Sequence, residues 1–317
     1  MTCTRCRAKA EVHLRQHRAA FCRACFVPFF QRQVERVIHR ERMFALDEQI
    51  LVAVSGGKDS LALWDALTTL GYRTTGLHLA LGIGDYSALS TEKTTQFAQA
   101  RSLPLITVTL ADEGPGLAIP SVAGFTNRPA CAACGMLKRH YFDTIAIERG
   151  FPVLATGHNL DDEAARLLGN VLRWQLDYLA RQRPVLEATH TRFVRKVKPL
   201  LRCTEYETGV YAFFRGIDYV VDECPNSAGA TQLVYKDVLN RLEAASPGTK
   251  LAFVQEFLRK GPALFQGALA PPAATCSRCG QPANGPLCAV CRLIEEVERK
   301  RERRRHDRAA ADHHPRS

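Results

Sequence analysis

Ser55-Gly56-Gly57-Lys58-Asp59-Ser60 concentrates several kinds of chemistry in six residues. The paired glycines admit left-handed backbone and carry no Cβ to hold a ligand away from the chain. Lys58 adds a point charge, Ser55 and Ser60 add hydroxyls, and Asp59 could hold a Mg²⁺ that bridges phosphates. Such a set suits phosphates. The spacing is not that of a Walker A loop. Cysteine is the second resource, with 12 in the chain. Cys3-x-x-Cys6 with Cys22-x-x-Cys25, and Cys276-x-x-Cys279 with Cys288-x-x-Cys291, have the spacing of tetrahedral four-thiolate zinc sites. His13 and His17 lie between the first two pairs, where four thiolates leave them no place; they are expected to be solvated or to face RNA. Cys131, Cys134 and Cys224 form a third set. Three thiols suit an Fe–S cluster with one iron lacking a protein ligand, a zinc with an open position, or a nucleophilic thiol that forms a persulfide. Cys203 is left over and reads as an ordinary thiol at a helix start.

These side chains need elements to position them. Ile50–Val54 is a short apolar run that reads as a buried parallel strand ahead of the glycines, and a helical pattern follows with Leu61, Leu63, Trp64 and Leu67. Free N–H groups and the positive dipole end of that helix favour an anion. Further strands are expected at Thr74–Ala80, Leu105–Leu110, Val153–Thr156 and Ile217–Val221, with helices near 58–70, 89–102, 132–149, 160–175 and 204–214. The alternation predicts an α/β fold: a parallel five-stranded sheet with helices on both faces. Ligands then lie outside the carboxyl ends of the strands. Leu81–Ser87, with glycines that would let an adenine lie against the backbone, and Thr156–Glu163 are expected there. Cys131 and Cys134 head a helix that also presents Lys138 and Arg139, and Cys224 follows the last strand, so convergence of the three thiols is expected.

The remaining segments frame this core. Residues 1–25 read as an N-terminal zinc module and 26–260 as a nucleotide-binding domain with a connecting helix at 26–45. A Pro/Ala linker is expected at 261–275, a zinc ribbon at 276–291, and a basic helix with a disordered tail at 292–317. Leu110–Pro129, rich in Gly and Pro, reads as a mobile connection, and the basic stretch Arg181–Lys198 as a loop able to meet RNA phosphates. The formal charge is +11. Residues 1–49 carry ten Lys/Arg against five Asp/Glu, and 292–308 carry eight against five, so much of the excess sits at the two ends. A polyanion such as RNA is the favoured partner. No apolar run approaches the roughly 18–20 residues of a membrane span, and the first residues lack a signal-peptide segment. A cytoplasmic setting follows, in which reduced thiols bind metal rather than pair.

The Ser55–Ser60 stretch after a strand resembles the PP-loop of ATP pyrophosphatases. The order zinc pair, Ser55–Ser60, Cys131-x-x-Cys134 with Lys138 and Arg139, Gly157–Ala164, Cys224-Pro225-x-Ser227 and zinc ribbon resembles the tRNA 2-thiouridine synthetases of the TtuA group, from Cys3 to Cys291. The resemblance implies an adenine-nucleotide α-hydrolase-like core that binds ATP and tRNA. It implies adenylation of a uridine O2, release of pyrophosphate, and displacement of AMP by sulfur. Carried over, Val54, Ser55, Gly56, Gly57, Lys58, Asp59 and Ser60 would hold ATP and Mg²⁺, with His78, Gly82 and Gly157 near the adenosine. Cys131, Cys134 and Cys224 would ligate a 4Fe-4S cluster, and Lys138 and Asp161 match positions linked to catalysis. Asp59, with the cluster cysteines, completes the expected catalytic set. A thiocarboxylated ubiquitin-like sulfur carrier and a homodimer enter only through the resemblance. The T-loop uridine is the expected substrate, with the wobble uridine, a cluster-free persulfide route and a non-catalytic ATP- and RNA-binding zinc-ribbon protein as alternatives.

Overall fold

The computed structural model describes residues 1–114, 116–227, 229–265 and 274–312, the last five by backbone alone. The chain begins with a hairpin of β1 (Val12–Leu14) and β2 (Ala19–Phe21), followed by α1 (Arg23–Arg40). The phosphate-loop unit is β3 (Gln49–Ala53) and α2 (Lys58–Thr69). Next come β4 (Arg73–Ala80), α3 (Gly84–Ala100), β5 (Leu105–Thr109), α4 (Leu110–Glu113), α5 (Ile119–Phe125), α6 (Ala130–Glu148), β6 (Val153–Thr156), α7 (Leu160–Leu172) and α8 (Leu176–Arg181). The remainder is β7 (Val185–Leu186), β8 (Arg195–Val197), α9 (Glu205–Phe214), α10 (Thr231–Ala245), α11 (Thr249–Phe265), β9 (Ala274–Thr275), β10 (Pro282–Ala283) and α12 (Ala289–Asp312).

The central sheet runs β5-β4-β3-β6-β8-β7. Five strands are parallel and the edge strand β7 is antiparallel to β8. The α/β class and its helix-covered sheet are as expected, with six strands instead of five. Ile217–Val221 is not one of them. Its apolar run lies beside the phosphate loop, where Val220 N–H donates to Gly56 C=O at 2.9 Å. The sheet instead extends through β8 and β7, inside the stretch read as an RNA-facing loop. Three of its cations are compensated internally: Lys198 pairs with buried Glu163 at 2.7 Å, Lys196 with buried Asp143 at 2.7 Å, and Arg195 with Glu48. These three cations are therefore spent on carboxylates, whereas Arg181, Arg183 and Arg192 of the same stretch form no ion pair among the described residues.

Two apolar cores cover the two faces of the sheet. One gathers α1, α2, α7 and α9 around Trp64, Phe26, Phe30 and Tyr211, and fully buried Cys203 belongs to it. The other gathers α5, α6 and α12 around Leu137, Leu77, Val122 and Val297. The N-terminal module lies against the first core and the C-terminal ribbon against the second. His17 is therefore neither solvated nor free for RNA: its Nε2 meets buried Glu207 Oε1 at 2.8 Å. Two other expectations change. Leu110–Pro129 contains two short helices, and Leu81–Ser87 already enters α3 at Gly84. The 261–275 linker begins as the end of α11, and its residues 266–273 lie outside the described residues, as do 313–317 of the tail. Among the described residues no helix is long and apolar enough to cross a membrane.

Candidate functional site

Gly57 ends the loop after β3 as the N-cap residue of α2, and no side chain caps that helix. Its first N–H groups are therefore left for a ligand. By contrast, α7 and α9 are closed by capping boxes, Asn159 with Asp162 and Thr204 with Glu207. Gly56 sits at φ +79°, and a Cβ there would stand 2.7 Å from Ser90 O. Only glycine makes this turn. Ser60 Oγ accepts from Ser55 N–H at 3.1 Å and donates to Gly57 O at 3.0 Å, which locks the loop.

A cavity of about 330 Å³ opens at the carboxyl ends of β3, β4 and β6. Val54, Ser55, Asp59, Ser60, His78 and Gly157 border it, and so does Lys138 from α6. Phosphate loop and cysteine-bearing helix thus face one space. His78 is 2% exposed. Its Nδ1 meets Val54 O at 3.0 Å and its Nε2 meets Thr91 Oγ1 at 2.9 Å, so the ring is tethered on both sides. Burial holds its pKa below the usual imidazole value. Gly157 presses on α2: a Cβ there would lie 2.9 Å from Ser60 N. Gly82 is not among the residues that border the cavity, and a Cβ there would stand 2.7 Å from Ala118 Cβ.

Asp161 is placed elsewhere. Its carboxylate is 5% exposed, accepts from Glu205 N–H at 2.8 Å and pairs with buried Lys250. It borders a second cavity of about 450 Å³ shared with His13 and Arg15 of the N-terminal module. Its neighbours include groups that the sequence did not single out. Lys58 Nζ lies 3.2 Å from Asp59 Oδ2 and 2.7 Å from Glu205 Oε1. Lys236 Nζ of α10 lies 3.1 Å from Glu205 Oε2 and 2.6 Å from Asp162 Oδ1. Burial disfavours the Glu205 carboxylate, but the two lysines outweigh it and hold its pKa down at about 2. Lys236 carries no sequence motif; only the packing of α10 on α7 brings it here. His158, on the first cavity, is pushed down to about 4 by burial and by Arg166. Since Arg166 can only donate, His158 Nε2 accepts from it at 3.3 Å and Nδ1–H points to Thr156 Oγ1 at 2.8 Å.

Each terminal set of four thiols lies within 4.8 Å of itself. Cys6 and Cys22 sulfurs stand 3.5 Å apart, and Cys279 and Cys288 sulfurs 3.7 Å. Sulfurs 2.3 Å from a tetrahedral zinc are separated by roughly 3.8 Å, so both sets fit that ion. The backbone N–H of Cys6 leads the groups that lower the Cys3 thiol to about 6, which readies it as a thiolate. Cys131, Cys134 and Cys224 are not gathered within 4.8 Å. Cys131 Sγ donates to Asn226 O at 2.9 Å, which joins the head of α6 to the segment after Cys224. Burial raises the Cys134 pKa, Lys138 opposes it, and Cys224 and Cys131 raise it further. A cube-shaped cluster holds its thiolates farther apart than one ion does, and three thiols are the donor set for a cluster with one iron left free. No fourth cysteine competes, because Cys203 is buried in the opposite core.

Residues 28–231 match the PP-loop domain family, and residues 2–27 match the N-terminal LIM domain of the 2-thiouridine synthetase TtuA. The chain is 46% identical over 306 residues to the tRNA-5-methyluridine(54) 2-sulfurtransferase of Thermus thermophilus, covering 96% of this chain and 94% of that protein. This chain belongs to the TtuA family of tRNA 2-sulfurtransferases. The family likeness extends to the enzyme of the same name from Thermotoga maritima, 38% identical over 95% of this chain and 98% of that one. It reaches more distantly to the cytoplasmic tRNA 2-thiolation protein 1 of Bos taurus, 34% identical over 95% and 89%. Among solved structures, the U34-tRNA thiolase NcsA of Methanococcus maripaludis, described with its [4Fe-4S] cluster, superposes with a TM-score of 0.78. It covers 94% of this chain and 96% of its own at 23% identity, a likeness of fold.

Proposed function

We propose that the chain 2-thiolates the T-loop uridine of tRNA by adenylating its O2 and then replacing that oxygen with sulfur. One observation carries the reading: Asp59 and Ser60 of the phosphate loop and Lys138 of the cysteine helix border the same cavity. ATP phosphates would rest on the open N-terminus of α2, against Ser55, Gly56, Gly57 and Ser60, with Lys58 and an Asp59-bound Mg²⁺ offsetting their charge. The adenosine would lie along Val54 and His78. Uridine O2 attacks the α-phosphorus, the bond to the β-phosphate oxygen breaks, and pyrophosphate leaves. AMP then becomes the leaving group at C2. Adenylation converts a poor oxide leaving group into a phosphate ester, so the protein's task is charge neutralisation and alignment.

Cys131, Cys134 and Cys224 would hold a 4Fe-4S cluster. Bound there with one iron free of a protein ligand, such a cluster supplies the centre that delivers sulfur. Lys138, four residues beyond Cys134, would sit between that centre and the nucleotide. Asp161 would act through Glu205 instead of touching substrate, because its carboxylate is occupied. The two tetrads would each bind zinc and, with the domain boundaries stated above, form terminal modules that meet tRNA. A thiocarboxylated carrier protein as sulfur donor and a homodimer complete the proposal. The test is mass spectrometry of tRNA nucleosides from the host without this gene, resupplied with wild type, Asp59→Ala or Cys224→Ser. Loss of one 2-thiolated nucleoside, restored by wild type alone and mapped to the T-loop, is the expected result. Unchanged nucleosides would sink it.

A further inference from the structure

Six residues close a ring at the mouth of the phosphate loop, five through side chains alone and Asn159 through its amide and its backbone N–H. Asp59 Oδ2 meets Lys58 at 3.2 Å, Lys58 meets Glu205 at 2.7 Å, and Glu205 meets Lys236 at 3.1 Å. Lys236 meets Asp162 at 2.6 Å, Asp162 Oδ2 accepts from Asn159 N–H at 3.2 Å, and Asn159 Nδ2 donates to Asp59 Oδ1 at 3.1 Å. The ring joins the first turns of α2, α7 and α9 to α10. Its five charged members are only partly exposed, between 20% and 39% of each side chain, so they line a rim instead of a solvated surface. Three carboxylates against two lysines leave it at −1.

That arrangement poses a physical problem for a polyanion. Glu205 grips both lysines with its two oxygens, and Lys58 cannot serve a phosphate at full strength while it is held there. The backbone of Glu205 is fixed, since its N–H is bound by buried Asp161, but its side chain is the most exposed member of the ring at 39%. We propose that Glu205 is a carboxylate stand-in for the distal phosphates of ATP, and that Lys236 is the second lysine that contacts them once Glu205 swings away. The inference rests on the ATP reading of the loop given above. It assigns to α10, which lies mostly outside the matched PP-loop domain, a direct part in nucleotide binding.

The test is isothermal titration of the full-length protein with Mg·α,β-methylene-ATP and, separately, with AMP. Lys236→Met is expected to weaken the ATP analogue about ten- to a hundredfold, the range of a hydrogen bond to a charged partner. It should leave AMP affinity unchanged, because AMP lacks the distal phosphates. Lys236→Arg should recover most of the loss. Glu205→Gln, which removes the competing charge, should tighten the analogue several-fold. Thermal unfolding of each variant establishes that it is folded, and the arginine variant keeps the test decisive if the methionine variant is not. Equal loss for AMP and the analogue, or no loss with Lys236→Met while Lys58→Ala abolishes binding, overturns the role of Lys236 and leaves the ATP reading standing. Absence of analogue binding by wild type overturns both.

Discussion

The N-terminal tetrad takes its four thiols from residues 3–25, and the ribbon takes its four from 276–291. Cys131, Cys134 and Cys224 come instead from the head of α6 and from a segment that follows α9. The local sets close to zinc-like separations through their own hairpins: Cys3 N–H donates to Ala8 O and Cys276 N–H to Gln281 O. The central set is held only by how α6 and the segment after α9 pack, and its thiols stay farther apart. The difference is the one expected between two kinds of metal chemistry. A structural ion needs a closed shell of ligands, whereas a reactive centre needs an open side beside its substrate cavity.

The sharpest way to break that contrast is serine substitution. Cys22→Ser should cost about 4 kcal/mol or more and release one zinc, because a closed metal site is folding energy. Cys224→Ser should stay within about 0.5 kcal/mol of wild type yet lose iron and thiolation. Calorimetric melting with metal analysis reads both, and equal destabilisation by the two variants would erase the distinction.

Acid should act on the central region next. Unfolded His158 takes its proton near pH 6.5, but in the fold it waits until about pH 4. Between those values the unfolded state binds more protons, so stability falls as pH falls, by up to about 3 kcal/mol at the lower end. His158→Asn should flatten the slope of Tm against pH in that window; an unchanged slope would remove His158 from the explanation.

Gly157→Ala comes third. Its Cβ would stand 2.9 Å from Ser60 N and 3.0 Å from Asp59 C, backbone that cannot yield without moving the phosphate loop. A loss of about 1–3 kcal/mol is expected, together with weaker ATP binding. Retained ATP affinity would show that the loop tolerates the shift.

The smallest effect links the two kinds of cysteine site. Gln281 of the ribbon meets His140 Nδ1 of α6 at 2.7 Å. Gln281→Ala should cost about 1 kcal/mol and lower the iron retained by the anaerobically purified protein. Unaltered iron would mean that the ribbon does not steady the cluster helix.

Sequence alone determined whatever depends on neighbours along the chain. The glycine turn with its helix and the tetrad spacing are set by local backbone conformation, and both could be read directly. The apolar run at Ile217–Val221 misled because a short buried segment beside a loop has the composition of a strand, and pairing is a property of the partner. The same limit hid β8, whose cations, with Lys198 just beyond it, look like an RNA surface until Asp143, Glu163 and Glu48 are brought to them. Tertiary structure alone decided that His78 is tethered at both nitrogens, that Asp161 is spent on Glu205 and Lys250, and that Lys236 of α10 shares Glu205 with Lys58 of the phosphate loop. Coulomb energy depends on distance through space, and residues far apart in sequence acquire that distance only when helices pack.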